Sequence, residues 1–261
     1  MVALCSEGPL ERNTCATLVR GGVNLVGVVW CARRGLSARA RFLWRWVARQ
    51  GALHTAGQIL GRIYDRARNG RRDRHVLAGL VDEAADRATL QTASLVALET
   101  DSYSRPDTLA AIRQLDPDIL VAHTKYIVGA KPRMLARVAV IGGHPGITPW
   151  YRGSYSSFWA LLHGRIDMIG FSVFLLDAGI DTGPVLFQER LPIVSGEDSH
   201  VTLAWKGMQR QSVLQAEAIR RLDAGECLPL RRLDHIPDDS YFSLPTLTDF
   251  VRYRRRQQLV R

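Results

Sequence analysis

Short apolar runs rich in β-branched residues alternate along the chain with stretches in which apolar positions return every three or four residues. Val2–Cys5, followed by the turn Ser6–Gly8, reads as a first strand. Leu10 to Gly21 then reads as a helix ended by Gly21-Gly22. Val23–Cys31 (VNLVGVVWC) has the unbroken apolar character of a strand buried on both faces. Leu36–Arg49 and Leu53–Arg68 carry helical periodicity. In the first of them Phe42, Leu43, Trp46 and Val47 share one side, and Arg39, Arg41, Arg45 and Arg49 take the others. Further strands are predicted at Leu95–Glu99, Ile119–Ala122, Val138–Ile141, Gly170–Leu176 and Pro184–Glu189. Helices are predicted at Arg105–Leu115, with Pro106 in its first turn, at Lys131–Val138, and over the long stretch His200–Leu222. Strands alternating with helices in this way predict an α/β, Rossmann-like fold: a mostly parallel sheet with helices on both faces and a short helical C-terminal extension. Residues 1–195 are expected to form the main domain, with a helical insertion at about 36–74, and residues 196–261 a C-terminal helix and basic tail.

Composition narrows the class. The chain has 261 residues, 46% hydrophobic and 23% charged, the balance of a globular protein. No apolar run reaches the roughly 18 residues of a membrane span, and the opening MVALCSEG is too short for a signal peptide, so a cytoplasmic location is expected. Cys5, Cys15, Cys31 and Cys227 have no metal-ligand spacing and are expected as reduced, mostly buried thiols. His54, His75, His163, His200 and His235 lie outside any ligand-like pattern and are read as surface or capping residues, with no metal site expected. The net charge of +10 is concentrated in three arginine groups: Arg33 to Arg49, Arg62 to Arg74, and Arg252 to Arg256. Such density suits an anionic partner or a solvated helix face. The basic insertion is read as a helical pair on the domain edge in preference to a membrane-surface helix. No GxGxxG or GxxxxGK[ST] follows a strand, so nucleotide-binding Rossmann and P-loop enzymes are unsupported.

The chemistry is concentrated in residues 142–183. Gly142-Gly143-His144-Pro145-Gly146 leads through Thr148-Pro149 to Trp150-Tyr151-Arg152-Gly153-Ser154. Phe158-Trp159-Ala160-Leu161 follows, and then Asp177-Ala178-Gly179-Ile180-Asp181-Thr182-Gly183-Pro184. His144 sits where a strand meets a Pro/Gly loop, and ligands of open α/β sheets bind beyond the carboxyl ends of strands. Asp181 comes from a second strand-end loop. A histidine and a carboxylate so delivered can form a proton-handling pair.

These segments, in this order, resemble the folate-dependent formyltransferases, whose strand ends in Asn-x-His before a Pro–x–Tyr–Arg–Gly loop, a Trp-Ala helix and a D-x-G-x-D-T-G loop. The resemblance covers roughly residues 1–195. It implies transfer of a formyl group from 10-formyltetrahydrofolate, used as co-substrate, to an amine, with an oxyanion forming on the way. Carried over by position, His144 and Asp181 are the implied catalytic residues, and the family's Asn falls on Gly142. Loss of one oxyanion donor costs about a hundred- to a thousandfold in rate. Three explanations stay open: a backbone N–H or water takes the amide's place, Ser154 or Thr148 serves the oxyanion, or the reaction differs. The resemblance further implies a folate pocket between His123-Thr124-Lys125-Tyr126-Ile127 and the loop carrying Asp177, Gly179 and Ile180, with Lys125 supplying a positive charge. Tyr151, Arg152 and Ser154 are the implied acceptor-side residues, and Phe158 and Trp159 are read as helix core. Too few residues follow the core for a tRNA-binding barrel, so tRNA is not expected and the expected acceptor is a small amine, with anionic ones included. An amino sugar or an amino-acid-derived metabolite is favoured, in a biosynthetic enzyme of one-carbon metabolism. A homodimer is left open. The alternatives are a hydrolase or altered one-carbon transferase on the same scaffold, or a non-catalytic folate-binding protein.

Overall fold

β1 (Val2–Ser6) is buried along its whole length, as a strand with neighbours on both sides and helices on both faces must be. In the computed structural model, which describes residues 1–32 and 36–259, it is an interior strand of a seven-stranded sheet, paired with β2 on one side and β4 on the other. The chain runs through α1 (Pro9–Arg20), β2 (Gly27–Cys31), α2 (Leu36–Gln50), α3 (Ala52–Leu80), α4 (Glu83–Thr92) and β3 (Val96–Thr100). α5 (Pro106–Gln114), β4 (Ile119–His123), α6 (Ala130–Arg133) and β5 (Ala139–His144) follow. The remainder is β6 (Arg152–Gly153), α7 (Ser156–His163), β7 (Gly170–Leu175), β8 (Val185–Arg190), α8 (His200–Asp223), β9 (Tyr241–Phe242) and α9 (Leu247–Leu259). The strand order is β3-β2-β1-β4-β5-β7-β8, parallel from β3 to β5, with β7 antiparallel to both of its neighbours. This is the mostly parallel α/β architecture that the alternating pattern implies.

The strands split their side chains between two cores with the period of two that a pleated strand imposes. In β4, Ile119 and Val121 join Leu18 of α1 and Leu214 and Ile219 of α8 on one face. Leu120 and Ala122 join Ile112 of α5 and Tyr103 on the other. After building β2 and β3 outward from β1, the chain crosses to β4 and β5 on the opposite side. The ends of β1, β4 and β5 therefore surround a topological switch point.

Several elements depart from the sequence reading. Residues 23–26 are not strand, although Val23 and Leu25 are buried beneath α1; packing alone accounts for their apolar character. β5 runs on through both glycines to His144. α6 is a single turn. α4, unread in the sequence, has Asp82 as N-cap, accepting from the amides of Ala84 and Ala85 at 3.1 and 2.9 Å. α3 continues to Leu80, beyond the expected end at Arg68. The basic tail is the helix α9, whose Phe250 and Tyr253 pack with Phe158. Cys5, Cys15 and Cys31 are buried and Cys227 is exposed. Arg33 and Arg34, the first members of the basic groups, lie outside the described residues, as do the side chains of Arg39 and Arg41.

Candidate active site

His144 ends β5, and the loop that follows is held in place by buried polar groups. The Ser172 hydroxyl on β7 donates to the Gly146 carbonyl at 2.8 Å and accepts from the Thr148 amide at 3.1 Å. Gln188 donates to the Thr148 carbonyl at 2.8 Å, and the Ser156 hydroxyl donates to the Pro145 carbonyl. The loop so fixed presents the Tyr151 carbonyl to His144 Nε2 at 2.8 Å. A carbonyl oxygen can only accept, so Nε2 carries a proton. The other ring nitrogen, Nδ1, faces Asp181 Oδ2 at 3.4 Å. This contact joins the last residue of β5 to a residue of the loop that leaves β7.

The loop between β7 and β8 is shaped to deliver that carboxylate. Asp177 Oδ1 accepts from the Gly179 amide at 2.9 Å and from the Thr182 hydroxyl at 2.7 Å, closing the loop on itself. Gly183 passes so close to the Leu175 carbonyl that any β-carbon would overlap it. Asp181 has a φ of 55°, a conformation that non-glycine residues adopt at a cost of order 1–3 kcal/mol and that clusters at functional sites. Its Oδ2 also accepts from the Gly153 amide at 3.0 Å. One carboxylate thus ties the Tyr-Arg-Gly loop to the histidine.

At Gly142 the structure shows what stands beside the missing side chain. A β-carbon there would overlap Leu176 Cδ1 and lie 3.4 Å from Phe174 Cε2. Leu176 also walls a cavity of about 260 Å³ between α6 and the start of β5, with Ala130, Met134, Ala136 and Val140 among its other lining residues. None of Lys125, Tyr126, Ile127, Asp177, Gly179 or Ile180 lines this cavity. Lys125 lies over the Tyr126 ring, with Nζ 5.6 Å from its centroid, and Ile127 is 81% exposed. On the acceptor side the Tyr151 ring is buried and stacked on Phe242 at 5.3 Å, leaving its carbonyl as the part that reaches His144. Arg152 bridges Ser240 and the Ile180 carbonyl. Ser154 is half-buried, and its amide donates to the Phe242 carbonyl.

Two histidines depart from the sequence reading. His200 is buried, with Nε2 3.3 Å from Asp65 of α3, and is enclosed by Tyr155, Phe158, Phe250 and Tyr253. It is neither a surface nor a capping residue, because α3 supplies a carboxylate that offsets its desolvation. His123 is the last residue of β4 and not part of the loop that follows. Its register on β4 turns it towards α1, where Nδ1 meets the Thr14 hydroxyl at 2.5 Å.

Burial pushes the His123 pKa from 6.5 down to about 4. The unfolded chain therefore takes up this proton before the folded one does. Stability supplied by His123 is complete above about pH 6.5 and declines as the pH falls towards 4, by up to about 3 kcal/mol. Urea unfolding of wild type and His123→Gln, from about pH 7 to about pH 4.5, should show the variant losing less stability over that span. Equal losses would refute the assignment.

Comparison with known proteins shows the family. The formyl transferase family model matches residues 59–219, a span that contains His144, Asp181 and both loops. The chain belongs to the formyl transferase family. A methionyl-tRNA formyltransferase from Synechococcus sp. (strain JA-3-3Ab) is 33% identical over 131 residues, 49% of this chain and 40% of that protein. A GDP-perosamine N-formyltransferase from Brucella melitensis is 31% identical over 112 residues, 42% of each chain. The chain thus spans less than half the length of these curated relatives. Among solved structures, a sugar N-formyltransferase from Shewanella sp FDAARGOS_354 superposes with a TM-score of 0.54 at 16% identity, over 97% of this chain and 86% of that one. That likeness is one of fold.

Within this formyltransferase fold, the residues that sequence reasoning missed are the ones whose place depends on pairing across the sheet. Leu176 reaches Gly142 because β7 runs antiparallel to β5, with Gly142 opposite Phe174. Arg133 donates to the Asp177 carbonyl, tying α6 to the Asp181 loop. Ser172 carries no motif at all. Only its position opposite His144 could have singled it out.

Proposed function

We infer that this formyltransferase-family protein moves a formyl group from 10-formyltetrahydrofolate to the amine of a small molecule, with an amino sugar the favoured acceptor. The observation that carries the reading is the 3.4 Å approach of Asp181 to His144 Nδ1 from a separate loop. The Tyr151 carbonyl holds the imidazole in one orientation. Nδ1 is then the nitrogen through which a proton passes, with the Asp181 charge beside it stabilising the protonated ring. The folate, when bound, supplies the electrophilic formyl carbon. The cavity beside Leu176 is the space open to the flat end of such a donor, with Leu176, Met134 and Val140 as apolar lining and Arg133 as a polar one. The acceptor assignment draws on the relatives named for sugar substrates. Neither they nor the family favour a hydrolase or a non-catalytic folate binder.

The test has two parts. Folate should raise the melting temperature, since a ligand that binds only the native state stabilises it. Release of tetrahydrofolate from 10-formyltetrahydrofolate should then depend on an added amine, with nucleotide-linked amino sugars leading the panel. Amine-independent release would overturn the reading in favour of hydrolysis. Binding without release would overturn it in favour of an inert binder.

A further inference from the structure

α3 is inverted. Its buried side carries Thr55, Gln58, Gly61, Asp65 and Asp73, whereas its exposed side carries Leu53 (91% exposed), Leu60 (52%) and Ile63 (61%). With the exposed alanines 56 and 67, these residues recur at intervals of three and four and draw one apolar stripe along the outside of the helix. The inward polar side chains reach partners on neighbouring elements: Gln58 Nε2 donates to the Leu244 carbonyl at 2.8 Å, Asp65 pairs with His200, and Asp73 accepts from the Ser199 hydroxyl at 2.9 Å, while Gln58 Oε1 accepts from none of the described residues. α3 is therefore seated by specific polar contacts in the orientation that leaves Leu53, Leu60 and Ile63 outside. α2, which joins it at Gly51 and packs against it, adds Leu43 and the 72% exposed Trp44. Scattered exposed apolar residues are ordinary, but a contiguous apolar face marks a surface that something covers.

The charge around the stripe identifies the cover. Residues 36–80 contain ten arginines and two carboxylates, a surplus of eight of the chain's ten net positive charges. The two carboxylates, Asp65 and Asp73, are both buried. Arg45, Arg49, Arg62, Arg66, Arg68 and Arg71 are exposed, so the outer face offers leucine, isoleucine and tryptophan among arginines and no exposed acid. The geometry points to α2 and α3 as a docking surface for an anionic lipid bilayer. The apolar stripe enters the headgroup–acyl boundary and the guanidinium groups meet the lipid phosphates. A second copy would set two such surpluses against each other. A nucleic acid would satisfy the arginines and leave Leu53, Leu60 and Ile63 in water.

The test is sedimentation of the full chain with extruded vesicles of phosphatidylcholine alone and of phosphatidylcholine mixed with phosphatidylglycerol. Binding to the mixed vesicles only is expected, weakened about fivefold by each exposed arginine replaced with glutamine. The double variant Leu60→Glu, Ile63→Glu should lose at least about tenfold of that binding, with an unchanged melting curve because neither side chain is in the core. Trp44→Ser provides a second variant that leaves α3 untouched and should also weaken binding. Failure to bind, equal binding to both vesicle types, or binding unmoved by the apolar variants overturns the proposal. So does tighter binding of an RNA oligonucleotide that the apolar variants leave intact, or self-association that Leu60→Glu abolishes.

Discussion

Asp181→Asn is expected to fold normally and to lose formyl transfer by about a hundred- to ten-thousandfold, the range of a displaced acid–base group. Asparagine is the informative replacement. At a φ of 55°, asparagine is among the residues that tolerate the left-handed region, whereas alanine would add strain there. The asparagine oxygen can still accept from the Gly153 amide, so the loop stays anchored while the negative charge beside His144 Nδ1 disappears. His144→Ala should be at least as inactive. It leaves the Tyr151 carbonyl without its donor as well, so some loss of stability accompanies it. Single-turnover rates with a saturating amine, alongside melting curves, separate the two effects. Wild-type rates in either variant would remove the proton-handling pair from the mechanism, and loss of folding in Asp181→Asn would assign that carboxylate to the scaffold.

Much of this arrangement is legible from residue order, and the reasons are local. β1, β4 and β7 announce themselves because strands buried on both faces read as nearly continuous apolar runs, broken here only by Ser6, His123 and Ser172. The His144 and Asp181 loops are legible because tight turns, a proline and closely approached glycines leave few alternatives at their positions. α4 was not legible: its sequence EAADRATLQT holds a single large apolar residue, and its cap at Asp82 is its only strong signal. α9 was hidden by its arginines, since burial of Phe250 and Tyr253 depends on α3 and α7 arriving from elsewhere in the chain. His200 illustrates the same limit. A histidine reads as solvated until α3 brings Asp65 to it, and no spacing along the chain encodes that meeting. The inverted face of α3 was visible as periodicity. Which side of it faced inward was not, because polar partners on α8 and in the segment before α9 decide the question.

Gly142→Asn alone is expected to slow the enzyme or leave it unimproved, and the companion change Leu176→Ala is expected to reverse that outcome. An asparagine at 142 would place its β-carbon against Leu176 Cδ1, with the Phe174 ring alongside, and its amide needs still more room. Overpacking of this kind costs about 1–3 kcal/mol. The leucine end is flexible, but it moves only by invading the cavity that it shares with α6. Removing the Leu176 side chain clears the position from which an amide could reach a developing oxyanion, an interaction worth about a hundred- to a thousandfold in rate. The double variant should therefore exceed wild type in kcat. Leu176→Ala by itself enlarges the cavity and should change the folate KM while leaving kcat near its wild-type value. If Gly142→Asn alone raises kcat with no loss in melting temperature, Leu176 is no obstacle. If the double variant folds and gains nothing, the protein stabilises its oxyanion without an amide at 142, and glycine with leucine is this chain's working solution.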